Sequence, residues 1–144
     1  MVNRAQLSQL LGKTKIGVLS TVGTEGQPQS AVTDFTVTPD LEFIIGTSSD
    51  SRKAANLAHN HQASYVLGWD DRITLQMDGE ARILAAQEFE PYRQVIQDKN
   101  PASAVYLDKP GQVYILFTPT WMRYTDARSW PWAIQEEIIE TNKK

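Results

Sequence analysis

The sequence predicts a mainly β (α+β) fold in which six antiparallel strands form a small barrel and helices cover its ends. Six segments have the β-branched and aromatic residues that are typical of strands. Short polar turns, "GTEGQP" and "TPDL", join the first three, which leaves no room for the helical crossovers of a parallel sheet. In chain order the predicted strands are "KIGVLSTV", "QSAVTDFTV", "LEFIIGT", "QASYVLGW", "RITLQMDGEARILA" and "GQVYILFTPTWMRYTD".

Three other segments have the residue spacing of helices. "NRAQLSQLLGK" places Leu7, Leu10 and Leu11 on one face, and Gly12 is expected to end that helix as a C-cap. "SRKAANLAHN" predicts a short helix after the third strand. "AQEFEPYRQVIQDKN" predicts a longer helix, in which Pro91 is compatible only with the first turn.

Two details of the strands can also be predicted. The first strand alternates in polarity, with Ile16, Val18 and Val22 on one side. Gly79 interrupts the long fifth strand and indicates a bulge or a bend. The final residues, "ETNKK", have the polar composition of a tail without regular secondary structure.

Composition restricts the function classes. With 144 residues, the chain is expected to form a single domain over 1–144. The net charge of −3 argues against an open nucleic-acid surface, and no apolar run is long enough to cross a bilayer. Cysteine is absent, and His59 and His61 lie two residues apart, so neither disulfides nor a metal site is predicted. The N-terminus does not resemble a secretory signal, and we expect a cytoplasmic protein.

The segment "FIIGTSSDSRKAANL" contains the main candidate for a binding site. Arg52 and Lys53 open a predicted helix at its positive end, where each cation costs roughly 0.3–1 kcal/mol if it points along the dipole. A bound phosphate would reverse that cost, because helix N-termini and nearby cations both bind anions. Ser51 or Asp50 could cap the helix. The hydroxyls of Thr47, Ser48 and Ser49 could add donors. The alternative is a solvated first turn with both cations pointing sideways.

The region from 45 to 69, "IGTSSDSRKAANLAHNHQASYVLGW", resembles the flavin-phosphate segment of pyridoxamine 5′-phosphate oxidases and their split-barrel relatives. The matching residues are Thr47, Ser51, Arg52, Lys53, Asn60, Ser64 and Trp69. His61 stands where that family usually has proline. The order of strands agrees as well, and the chain is similar to the small, general-stress type of member. The resemblance implies an FMN-binding split β-barrel that forms a homodimer, with the flavin in a groove between the subunits.

The resemblance also implies roles for particular residues. Arg52 and Lys53 would hold the FMN phosphate, with hydrogen bonds from the hydroxyl groups beside them, at Thr47, Ser48 and Ser51. The second strand, at Ser30, Ala31 and Val32, would offer backbone groups to the flavin ring. Thr74 falls where the oxidases have a glutamine that contacts the ring.

Two departures argue against the oxidase activity itself. Ala31 and Thr36 replace an arginine and a lysine of the oxidase second strand, and no histidine follows His61, so the C-terminal Arg-x-His pattern is missing. The expected function is therefore that of an FMN-dependent oxidoreductase whose substrate is unknown, with hydride or electron transfer at the flavin. Two alternatives stay open. The barrel could bind deazaflavin F420 or haem instead, or it could be a flavin-binding sensor without turnover.

The C-terminal region holds candidates without an assigned role. Trp121, Trp130 and Trp132 could stack on a flavin or line a cleft, although such residues more often belong to a core or a subunit interface. Arg123 and Arg128 could pair with an anionic substrate, or could be solvated surface charges.

Overall fold

The computed structural model describes residues 1–140 and contains eight strands and four helices in that range. Of the predicted tail, only Glu140 falls within the described residues. In chain order the elements are α1 (Arg4–Lys13), β1 (Ile16–Val22), β2 (Pro28–Asp34), β3 (Thr36–Val37), β4 (Phe43–Ser48), α2 (Arg52–Leu57), β5 (Gln62–Gly68), β6 (Ile73–Ile83), α3 (Ala86–Lys99), α4 (Pro101–Ala104), β7 (Gln112–Asp126) and β8 (Ala133–Ile138). None of the helices in this range is long and apolar enough to cross a membrane.

One antiparallel sheet, in the order β2-β1-β5-β6-β7-β4-β3, forms the body of the molecule, and β8 adds to β7. β2 and β3 lie at opposite ends of this order, yet only Phe35 separates them in the chain. The sheet therefore curls until its two ends meet at Phe35. This curled sheet with helices at its ends is the predicted split barrel, and the fold class is confirmed.

Aromatic side chains fill the interior. Phe35, Phe43, Tyr65 and Phe117 pack edge to face or tilted, with ring centroids 5.5–6.1 Å apart. The Tyr65 hydroxyl shares a 2.8 Å hydrogen bond with the hydroxyl of Thr33, and burial raises the Tyr65 pKa above its usual value. The pair satisfies two polar groups inside an otherwise apolar core.

All six predicted strands are present, but the structure divides one and adds another. The second predicted strand bends at Phe35, which is buried at the corner, so that β2 pairs with β1 and β3 pairs with β4. β8 was not predicted, since three of its six residues are polar and its sequence has little apolar alternation; four of the six are exposed. It is held by pairing with β7 over residues 121–126.

The predicted alternation of the first strand is present, and the structure adds which of its two sides is buried. Ile16, Val18 and Val22 do share a side, but the buried side is the other one, formed by Gly17, Leu19 and Thr21. Ile16 is exposed, and the Tyr65 ring packs over Gly17, where a larger side chain would not fit. Ile16, Val18 and Val22 therefore face outward from the barrel, whereas Leu19 faces the core.

In the other elements, two predicted details differ from the structure and one is confirmed. Gly12 does not end α1, which continues to Lys13; the hydroxyl of Thr14 then donates to the Leu10 carbonyl at 2.6 Å. Pro91 is the sixth residue of α3, one turn later than expected, where it removes one helical hydrogen bond. The bulge at Gly79 is confirmed, because the register between β6 and β7 shifts between Asp78 and Gly79.

Candidate functional site

The N-terminus of α2 is built by hydroxyl groups from the end of β4. Ser51 is the cap, and its Oγ accepts a hydrogen bond from the Ala54 N–H at 3.2 Å. The Thr47 hydroxyl donates to the same Oγ at 3.0 Å, and the Ser48 hydroxyl donates to the Asp50 carboxylate. Of the two predicted caps, Ser51 performs that role, while Asp50 ties down the turn.

Arg52 and Lys53 occupy the first turn of α2, where Arg52 is exposed and Lys53 is half-buried. Within residues 1–140, no carboxylate lies within ion-pair distance of either one. By contrast, in-chain carboxylates pair with the side chains of Arg4, Lys13, Arg82, Arg93, Arg123 and Arg128. Two cations at the positive end of a helix that lack an ion-pair partner among residues 1–140 favour the binding of an external anion.

Asn56 fixes α2 to the barrel and was missed by sequence reasoning. It is 7 % exposed, and its Nδ2 donates to the Thr21 hydroxyl at 2.9 Å and to the Gln29 amide oxygen at 2.8 Å. These bonds join the helix to both β1 and β2. The only sequence signal was a polar residue beside Leu57 on the buried face of a short helix.

The predicted β2 residues lie next to this anchor. Ser30 follows Gln29 directly, and its hydroxyl is 2.8 Å from that of Ser20 on β1. Val32 is exposed, whereas Ala31 is half-buried with its side chain on the opposite face. Since β2 ends the sheet order and is paired there with β1, its second edge is available to other hydrogen-bonding groups.

Thr74 is separated from the other candidates within one chain. It pairs with Thr125 on β7, whereas Thr47 pairs with Val113 near the start of that strand. These two points of β7 are twelve residues apart, which is about 40 Å of extended strand. The structure therefore brings Thr47, Ser48, Ser51, Arg52 and Lys53 together with β2, but not with Thr74.

A cavity of about 330 Å³ borders Thr47 and is enclosed by the β2–β3 corner, β4, β7 and the helices α3 and α4. We call it the Tyr114 cavity, because Tyr114 lines it and has the one buried side-chain polar atom without a hydrogen-bond partner in the described part of the chain. The Tyr114 ring stacks on Phe89 with centroids 4.0 Å apart, and burial raises its pKa. An unsatisfied buried hydroxyl costs about 1–3 kcal/mol.

A second cavity, of about 700 Å³, adjoins the first and is bounded by α1. Asp34, Phe35 and Ser103 line both cavities, and the Ser103 hydroxyl donates to the Asp34 carboxylate. Arg4, Lys15 and Lys99 line only the larger cavity.

The C-terminal arginines have partners within the chain. Arg123 donates from Nε to the Glu136 carboxylate at 2.6 Å and lies over the half-buried Trp121 ring, 5.6 Å from its centroid. Arg128 donates from Nη2 to Asp126 at 2.7 Å. These contacts account for both charges without a substrate. Trp130 and Trp132 are exposed and form a T-shaped pair with centroids 6.0 Å apart.

The match of the sequence to a family model identifies the family of the chain. Residues 4–126 match the family model described as pyridoxamine 5′-phosphate oxidase, which covers the barrel from α1 to the end of β7. The chain belongs to this family. Membership of the pyridoxamine 5′-phosphate oxidase family accounts for the strand order, whereas the particular reaction depends on residues that vary within the fold. Among curated proteins, no sequence matches this chain.

Solved structures of the same fold are named for different functions. A heme binding protein from Mycobacterium smegmatis has a TM-score of 0.76 at 18 % identity, over 96 % of this chain and 59 % of that one. A pyridoxamine 5′-phosphate oxidase-related, FMN binding protein from Nostoc punctiforme has a TM-score of 0.73 at 15 % identity, over 98 % and 100 %. A Clostridium acetobutylicum protein related to general stress protein 26 has a TM-score of 0.73 at 18 % identity, over 94 % and 93 %. The chain spans under three fifths of the first two structures it matches.

Proposed function

We propose that this chain is an FMN-binding flavoprotein that acts as a flavin-dependent oxidoreductase on a small molecule. The observation that carries the proposal is the capped N-terminus of α2, where Arg52 and Lys53 have no carboxylate partner among the described residues. A phosphate monoester suits this arrangement, because an arginine fork, a lysine and helix N–H groups all bind its oxygens. Family membership and the FMN binding protein of the same fold support flavin as the source of that phosphate.

The residues present fit the flavin phosphate and the edge of its ring. Arg52 and Lys53 would hold the phosphate, with the hydroxyls of Thr47, Ser48 and Ser51 beside them. The free edge of β2, at residues 30–32, would provide backbone groups to the ring. Bound FMN supplies hydride or electron transfer, and the protein then needs no strong acid–base group of its own.

A homodimer completes this proposal. Val32, Val18 and Val66 are cross-strand neighbours on β2, β1 and β5, and form an apolar stripe on the outer face of the sheet. A second subunit on this face would cover the stripe. It would also allow Thr74 of one subunit to contact the flavin that is held by α2 of the other subunit. The dimer thus accounts for the predicted contact between Thr74 and the flavin, which the distance within a single chain does not allow.

Haem is the second candidate, because a heme binding protein has the same fold. Haem iron needs an axial ligand such as histidine, and the sequence has only His59 and His61. Deazaflavin F420 is a third ligand to test, although its acidic tail would favour more basic residues than the groove beside α2 offers.

An absorption spectrum of the purified protein, followed by titration with FMN, F420 and haem, tests the proposal. We expect saturable FMN binding with flavin absorption bands, and weaker binding of the other two. Tight haem or F420 binding, without FMN binding, would replace the proposed cofactor. Reduction of the bound flavin by NADH or NADPH, with turnover of an acceptor, would distinguish an enzyme from a flavin-binding sensor.

A further inference from the structure

The second cavity, which is bounded by α1, lies outside the proposed flavin site. Its volume of about 700 Å³ falls within the range of small-molecule pockets. Its walls come from α1, the β2–β3 corner, the turn at 38–41 and the junction between α3 and α4. None of the described residues that are proposed to contact FMN lines it, and we call it the α1 cavity.

Apolar side chains from several segments line the α1 cavity. Leu11 from α1, Val37 from β3 and Leu41 from the following turn are partly buried and pack against the core. Ile16 and Tyr106 also line the cavity, and they are 45 % and 46 % exposed. An alkyl chain or a ring that enters the cavity would cover these side chains, and the hydrophobic effect favours that burial.

Leu41 reaches the cavity from an unfavourable backbone conformation. Its φ of 60° lies in the left-handed region, which glycine tolerates better than leucine. A hydrogen bond of 3.0 Å from the Leu41 N–H to the Thr38 carbonyl closes the turn in this conformation. Backbone strain of this kind is concentrated at binding sites, and here it adds an apolar wall to the α1 cavity.

The charges that line the α1 cavity favour an anion. Arg4, Lys15 and Lys99 line it, together with one carboxylate, that of Asp34. Arg4 is paired with Glu137, which leaves two ammonium groups against the one carboxylate. The Lys99 ammonium already donates a hydrogen bond to a backbone carbonyl at 3.0 Å. Within residues 1–140, no carboxylate lies at ion-pair distance from the Lys15 ammonium, so Lys15 is the cation best able to bind an external anion.

We propose that the α1 cavity binds a carboxylic acid with an apolar body, of the medium-chain fatty acid class. The apolar body lies between α1 and the turn at 38–41, and the carboxylate accepts charge-assisted hydrogen bonds from the Lys15 ammonium. A small hydrophilic anion would leave the apolar walls uncovered, and an amine would add a cation to a lining that is already positive. This site goes beyond the proposed flavin function and does not depend on it, because the two share no proposed contact residue.

Three probes with one alkyl chain test this preference by calorimetry on the purified protein. Octanoate carries a negative charge, 1-octanol carries none, and octylamine carries a positive charge. We expect octanoate to bind at least about tenfold more tightly than either of the others, because it alone can pair with Lys15. Equal affinities, tighter binding of octylamine, or the absence of saturable octanoate binding would each overturn the inference.

Two variants locate the bound acid. Lys15→Gln should weaken octanoate binding about fivefold to tenfold and leave octanol binding unchanged, because it removes only the charge. Ala102→Trp places a large side chain at an exposed position that lines the cavity, and it should weaken the binding of both probes. Lys13→Gln is the matched control, since Lys13 is also exposed but does not line the cavity. Unmodified octanoate affinity in either folded cavity variant would overturn the assignment.

Two further measurements test the other possible occupants of the α1 cavity. Light scattering should give the same molar mass with and without octanoate, and conversion of a dimer to monomers by octanoate would show that a second copy fills the cavity. Octanoate affinity should also be the same with and without added FMN. Competition between FMN and octanoate would assign the cavity to the flavin site, and either contrary result would overturn the proposal.

Discussion

At the scale of single residues, some members of the candidate site can be recognised from neighbouring positions in the sequence, whereas others depend on contacts between distant positions. Ser51 could be recognised as a cap because its partner, the Ala54 N–H, lies three residues away. The charges of Arg52 and Lys53 are read directly from the sequence. Asn56 could not be recognised in this way, since its partners Thr21 and Gln29 lie 35 and 27 residues away. Only the folded barrel brings these three side chains together.

Asn56→Ala should affect both stability and cofactor binding. It removes one buried and one partly buried hydrogen bond and leaves the Thr21 hydroxyl without that partner, so we expect a loss of about 1–3 kcal/mol in the free energy of unfolding. Because α2 is then less firmly held, FMN affinity should also fall. Chemical denaturation and FMN titration measure the two effects.

Asn3→Ala is the matched control for that variant. Asn3 caps α1 through a 3.0 Å bond from the Gln6 N–H, and its loss should cost about 1 kcal/mol of stability. FMN affinity should not change in this variant, because α1 does not contribute to the phosphate site. If folded Asn56→Ala binds FMN as tightly as Asn3→Ala does, Asn56 does not position the phosphate site.

At the scale of elements, the sequence predicted strands and helices better than their faces and bends. The helix α3, the strand β7 and the bulge at Gly79 were found because periodicity and glycine position are local features. The buried face of β1 was not, since Val18 faces outward and Leu19 faces inward, and both are apolar. The bend at Phe35 likewise depends on two partner strands that lie far apart in the sheet.

Two glycine substitutions test the element boundaries. Gly12→Ala should raise the free energy of unfolding by about 0.5–1 kcal/mol, because Gly12 lies inside α1 and a Cβ there meets nothing within 4 Å. Gly79→Ala should be strongly destabilising, since a Cβ at the bulge would overlap the Thr118 carbonyl oxygen. Thermal or urea unfolding of the two variants measures the difference. Equal stabilities would show that the bulge does not require glycine.

At the scale of the whole molecule, the outer face of the sheet is the feature that a single chain leaves unexplained. The stripe formed by Val18, Val32 and Val66 lies on this face, and Val32 is 65 % exposed. Trp130, which is 84 % exposed, belongs to the segment that leads into β8. We expect a second subunit to cover these exposed apolar side chains.

Val32→Asp should therefore weaken the homodimer, because it places a charge in the apolar stripe. We expect more monomer by light scattering at micromolar concentration and a parallel loss of FMN affinity. Val105→Asp is the control, since Val105 is similarly exposed at 66 % but follows α4 and is not part of the stripe formed by Val18, Val32 and Val66. A monomeric Val32→Asp variant with full FMN affinity would exclude a cofactor site that needs both subunits.

The central claim is that the first turn of α2 binds the phosphate of FMN, and the FMN affinity of the Arg52→Ala/Lys53→Ala variant tests it most directly. Charge-assisted hydrogen bonds contribute about 1.5–3 kcal/mol each, so the double variant should lose about 3 kcal/mol or more, which is over a hundredfold in Kd. Lys13→Ala/Arg82→Ala removes two cations that are paired elsewhere on the surface and should bind normally. Unchanged FMN affinity in a folded Arg52→Ala/Lys53→Ala protein would contradict the account.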